Sequence, residues 1–304
     1  MTSLLTKKIL LLFLVYLSYS LFSAMAIAQN YEGLKELKGY KIKIFCSTDA
    51  EERATLIAKN VDGAQTFLSS LVGFEPEVTV VILNPADWPK FTKGAFYGMP
   101  HYVNQQKVLN IASEDNAFWK SFIPQLDKLP KALAAKITTA YVGKDGKISM
   151  QPFFDLLAIH ELAHAYHNQG GLKMQRRWMG ELFANISLHT YIAERNPKLL
   201  PALTAFPQMV IADGKANFKY TSLKDLEDNY NELGSKMPEN YGWYQCRLHD
   251  AAAKIYDGGG IKLYKKLWTT LKTQQEILND EQLVDLLAKN TDQSMADILI
   301  NWDK

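Results

Sequence analysis

His160, Glu161 and His164 stand in the run His160-Glu161-Leu162-Ala163-His164, an H-E-x-x-H pattern within a chain of 304 residues. Residues four apart on a helix share one face and lie about 6 Å apart along the axis, so both imidazoles can reach one small cation. Zn²⁺ suits such a pair, with nitrogens at about 2.0–2.1 Å. Glu161 then stands next to the water to be activated, where a carboxylate acts as general base. With six histidines in the chain, chance supplies roughly 0.006 matches to the three fixed residues. The competing reading is a helix whose two histidines are merely hydrogen-bonded and half-buried.

A catalytic zinc takes three protein ligands and keeps a fourth position open. His167 is near the face of His160, but ~10 Å further along the helix, too far for the same ion. The longer metzincin pattern does not fit either, because Gly170 stands where it wants His and His167 where it wants Gly. His167 therefore reads as a supporting or surface histidine. Glu181 follows His164 after 16 intervening residues. That gap is long enough to end the first helix at Gly170-Gly171 and return antiparallel in a second helix running toward Glu194. The predicted ligand set is His160, His164 and Glu181, with Asn185 one turn on to hydrogen-bond a ligand. The alternative for Glu181 is an ordinary first-turn glutamate favoured by the helix dipole.

The elements that must hold these groups are legible in outline. Ser149 can cap the zinc helix, Pro152 suits its first turn, and Phe153, Phe154, Leu156, Leu157 and Ile159 give it apolar faces. Upstream, residues 40–45 alternate as a half-buried strand does, and 50–72 have the spacing of an amphipathic helix stopped by Gly73. Residues 77–83 are β-branched enough for a strand buried on both faces. A looser stretch spans 84–104, and 107–112 is a short strand. From Met150 onward the pattern is helical, broken at Gly170-Gly171, Pro197, Pro201, Pro207 and Gly258-Gly259-Gly260. That triple glycine has no G-K-[ST] after it and no strand before it, so it ends a helix rather than binding phosphate. The fold class is α+β: a lobe over 29–170 with a small sheet and the zinc helix, then a helical lobe over 171–304.

Composition narrows the setting. A net charge of +2 with 22% charged residues gives no general drive toward nucleic acid, and two cysteines exclude a disulfide scaffold. Lys7 and Lys8, an uncharged run from Ile9 to Phe22, and small residues at Ala26 and Ala28 form the three parts of an export signal over 1–28. Cleavage after Ala28, or after Ala26, predicts a secreted or periplasmic protein with no stable membrane insertion. The alternative is a retained anchor, since Ile9 to Tyr31 approaches spanning length. Cleavage would remove two lysines and no acid, so the excess positive charge belongs to the signal. Export permits a disulfide between Cys46 and Cys246, and two buried thiols are an equally open reading.

His160, Glu161, His164 and Glu181, with the E-x-x-A-N context of the last, resemble the gluzincin metallopeptidases, the class of thermolysin and the M1 aminopeptidases, and within it the smaller peptidase MA-like proteins. The resemblance implies a zincin-like N-terminal lobe, Zn²⁺ as cofactor and a peptide or protein substrate. It also implies that the strand at 107–112 is the sheet edge beside the substrate cleft. In such enzymes a Tyr or His of the helical part stabilises the oxyanion. Here that role is assigned to Tyr241, with Tyr244 and His249 as alternatives. Asn185 stands where thermolysin-like enzymes have Asp. The G-x-M-x-N exopeptidase motif is missing, Tyr97-Gly98-Met99-Pro100 being no match. The expected activity is zinc-dependent peptide hydrolysis with Glu161 as base. The rivals are a non-peptidase amide hydrolase and a non-catalytic zinc- or peptide-binding protein.

Overall fold

The computed structural model describes residues 30–92 and 94–304, so the export signal expected at 1–28 lies outside the described residues. Leu34–Lys304 form one compact unit, of mixed α+β structure and mostly helical. Its single sheet has the order β1-β2-β3-β5-β4, comprising β1 (Lys35–Leu37), β2 (Lys43–Cys46), β3 (Thr79–Leu83), β4 (His101–Val103) and β5 (Val108–Ala112). β2, β3 and β5 are parallel, while β1 and β4 lie antiparallel on the two edges. β5 is buried throughout and β3 at all but its first residue, as parallel strands covered on both faces must be.

α1 (Glu51–Val72) makes the crossover from β2 to β3 and buries Ala54, Ile57, Val61, Ala64, Phe67 and Leu68, ending at Gly73. Expectation and structure differ next at the sheet edge. The strand at 107–112 exists as β5, but it lies inside the sheet, between β3 and β4. The edge is β4, within the stretch read as loose. Three residues between Pro100 and Asn104 are too few to display a period of two, and only pairing with β5 makes them a strand.

Short helices α2 (Trp88–Phe91) and α3 (Ala117–Lys120) precede α4 (Lys131–Tyr141), an eleven-residue helix absent from the sequence reading. α5 (Gln151–Gln169) follows. The Gln151 N–H donates to Ser149 Oγ at 3.2 Å, and Pro152 lies in the first turn. The Arg53 guanidinium of α1 grips both oxygens of Asp155 on α5, tying the two helices together. At the far end Gly170 has no room for a side chain: a Cβ there would lie 2.4 Å from the Trp268 ring.

α6 (Trp178–Arg195) is buried at every position from Trp178 to Ile192 and packs against both α5 and α10. α7 (Leu200–Ala212), α8 (Leu223–Asp228), α9 (Tyr230–Lys236), α10 (Pro238–Thr273), α11 (Asp280–Asn290) and α12 (Gln293–Asn301) complete the chain. Two expected breaks fall differently. α7 continues through Pro207, giving up one backbone hydrogen bond to keep its packing. The triple glycine produces a kink at Gly260, whose φ of 54° and ψ of −148° only glycine accepts readily, and helix resumes at once. Cys46 in β2 and Cys246 in α10 are buried free thiols, which decides the cysteine question against a disulfide. No helix among the described residues is long and apolar enough to cross a membrane.

Candidate metal centre

α5 and α6 bring His160, His164 and Glu181 together. His160 Nε2 and His164 Nε2 are 3.1 Å apart, and Glu181 Oε2 lies 3.2 Å from the first and 3.7 Å from the second. Ligand atoms of a tetrahedral zinc with bonds near 2.0–2.1 Å are about 3.3 Å apart, and the three distances bracket that figure. Glu161 belongs to the same cluster, its carboxylate and the two imidazoles having ligand atoms within 4.8 Å of one another. Two imidazole nitrogens and one carboxylate oxygen are a donor set that could hold a metal ion.

Both imidazoles are held through their Nδ1 atoms. His160 Nδ1 donates to Asn185 Oδ1 at 2.8 Å, which leaves the Nε2 lone pair facing the centre. Asn185 is fully buried and its Nδ2 has no partner. His164 Nδ1 lies 2.9 Å from His167 Nε2. His167 therefore buttresses His164 from the side away from His160 and Glu181. Burial, with His164 beside it, pushes the His167 pKa down to about 3, so it is a neutral partner with a nitrogen free to accept.

Electrostatics point the same way. For Glu181 burial favours the protonated form, yet His164 and His160 hold its carboxyl well below the usual carboxylate range. For His164 burial opposes the charge, but Glu181 foremost pushes its pKa up to about 9. The two shifts together favour an ionised Glu181 beside a protonated His164.

Glu161 faces the sheet edge: its Oε2 accepts the Tyr102 backbone N–H of β4 at 2.9 Å. Tyr102 was not among the residues singled out from sequence, and no local signal marks it.

Comparison of the sequence with protein-family models and with curated proteins gives no match. The site therefore stands on its geometry.

Around Glu181 the structure places residues that sequence reasoning passed over. The Tyr230 hydroxyl, from α9, donates to Glu181 Oε1. Gln245, from α10, donates from Nε2 to Glu181 Oε2 at 2.9 Å and to the Tyr241 hydroxyl at 2.8 Å. Tyr241 thus reaches the centre through Gln245, and its ring meets that of Tyr230 edge-on at 6.1 Å. Gln245 stands one helical turn after Tyr241, a spacing that offered a clue; Asn229-Tyr230-Asn231 offered none. Tyr244 is committed to the Ser222 carbonyl at 2.8 Å. His249 is buried between Phe153 and His160, with ring distances of 5.5 and 6.2 Å. Burial, then His160, pushes its pKa down to about 3. Arg176 is paired with Asp280 and the Leu278 carbonyl, while Arg177 is exposed and lies 4.6 Å over the Tyr230 ring.

Proposed function

We propose that the protein is a zinc-dependent peptidase of the gluzincin type, exported by its N-terminal signal and acting on peptide or protein substrates. The observation carrying this reading is the convergence of three acceptor atoms at zinc-ligand spacing, with Glu161 poised between them and a sheet edge. His160, His164 and Glu181 hold the metal. Bound there, zinc supplies Lewis-acid polarisation and lowers the pKa of a water.

Glu161 takes the proton of the attacking water and passes it to the leaving amine. The Tyr102 N–H fixes the orientation of that carboxylate. β4, as the edge strand of a zincin-like lobe, offers extended backbone along which a peptide can lie. Asn185 and His167 keep both imidazoles aimed at the centre. Tyr241 is the hydroxyl assigned to the developing oxyanion, as Tyr244 and His249 are committed to structural contacts. An intact Glu161 favours catalysis over a purely binding role, because holding a metal needs the ligands but not the base.

The test is cleavage of a peptide library by the zinc-loaded protein, read by mass spectrometry beside a Glu161→Gln control. Loss of the general base should lower turnover by about 10²–10⁴-fold while zinc content stays unchanged. Cleavage that persists undiminished in Glu161→Gln would overturn the mechanism. Turnover only on non-peptide amides would move the substrate class.

A further inference from the structure

We propose that Tyr230 is a positioning residue that keeps the Glu181 carboxylate monodentate, so that one position on the bound metal stays open for water or substrate. The inference rests on the zinc reading and concerns how the third ligand is held.

A carboxylate can offer a metal one oxygen or two. Glu181 turns Oε2 toward both imidazoles, and its other oxygen, Oε1, accepts the Tyr230 O–H. Hydrogen bonds to a carboxylate are charge-assisted and short, so Oε1 is occupied away from the centre. Gln245 bonds Oε2 from the side, and its other contact holds Tyr241. Tyr230 is itself braced, between the edge-on Tyr241 ring at 6.1 Å and the Arg177 guanidinium at 4.6 Å. Glu181 is only 8% exposed. Without the Tyr230 hydroxyl, Oε1 becomes a buried acceptor lacking its donor, a costly state. Rotation of the carboxylate toward the cation relieves it. Both oxygens then bind, and the open position of a catalytic site is lost.

The experiment uses the full chain loaded with Co²⁺, whose visible bands weaken several-fold when four-coordinate geometry becomes five-coordinate. Tyr230→Phe should show that weakening and should bind a small hydroxamate about tenfold less tightly. Tyr241→Phe should keep the wild-type spectrum, because its hydroxyl bonds Gln245 rather than Glu181. A Tyr230→Phe protein with the wild-type Co²⁺ spectrum overturns the proposal. X-ray absorption on the zinc-loaded wild type checks it without any variant: one carboxylate oxygen in the shell supports it, and a bidentate carboxylate overturns it. Wild-type protein that takes up neither metal overturns the zinc reading as well. Metal binding with an unchanged Tyr230→Phe spectrum overturns this inference alone.

Discussion

At the scale of single residues, the cluster sets an ionised Glu181 against a histidine whose proton it holds. His164 has its pKa pushed up to about 9 despite burial, chiefly by Glu181. In the metal-free protein this protonated pair contributes stability that is complete below the ordinary histidine pKa of about 6.5. That contribution is lost as pH rises through about 9. A metal needs the deprotonated imidazole, so its affinity runs the opposite way. Zinc affinity should rise about tenfold per pH unit between 7 and 9, measured by competition against a chelator of known pH dependence. A flat profile would show that no proton is displaced. Glu181→Ala should weaken zinc binding by more than about 100-fold, the upper range for loss of a mere supporting contact. Equal zinc content in the purified variant and wild type would remove Glu181 from the ligand set.

The elements hold those residues through a few cross-links of long sequence separation. α5 carries its two imidazoles on one face because of helical spacing alone, but its placement depends on α1, α6 and β4. The bond between Arg53 and Asp155 is the clearest tie, with side chains only 13% and 21% exposed. Replacing one partner leaves a charge largely shielded from water. Arg53→Met should therefore destabilise the fold by about 3 kcal/mol, measured by urea unfolding with an unchanged m-value. A loss below ~0.5 kcal/mol would class the pair with weak surface bridges. α6, buried along nearly its whole length, is the element least tolerant of displacement, since it carries Glu181 and Asn185 one turn apart.

Across the whole molecule, Leu34–Lys304 form one compact unit, and the candidate metal centre is a junction between α5 and α6. Charge over residues 29–304 is balanced, so zinc, if bound, would be the strongest local charge in the site. A ligand binding only the folded state at 1,000 times its dissociation constant adds about 4 kcal/mol. For a chain of this size, chelation should lower Tm by roughly 10 °C, read by calorimetry with and without chelator. An unchanged Tm would mean that nothing is bound between the two helices.

The sequence by itself determined what the backbone sets locally. H-E-x-x-H places two imidazoles on one helix face because 3.6 residues make a turn. The spacing to Glu181 spans a turn and an antiparallel return, and Asn185 follows one turn later. The strands read at 40–45 from alternation, at 77–83 from β-branched density and at 107–112 form as β2, β3 and β5 with trimmed ends, and helical spacing marked α1. Tertiary structure alone decided which strand is the edge, because a three-residue β4 has no period and exists only through pairing with β5. It also decided that Tyr230 touches Glu181 Oε1, that the Tyr102 N–H meets Glu161, and that Cys46 and Cys246 stay apart as free thiols. Tyr230 and Glu181 are 49 positions apart, and Tyr102 and Glu161 are 59 apart. Such contacts are fixed by how whole helices and strands pack, and no local pattern of residue types encodes them.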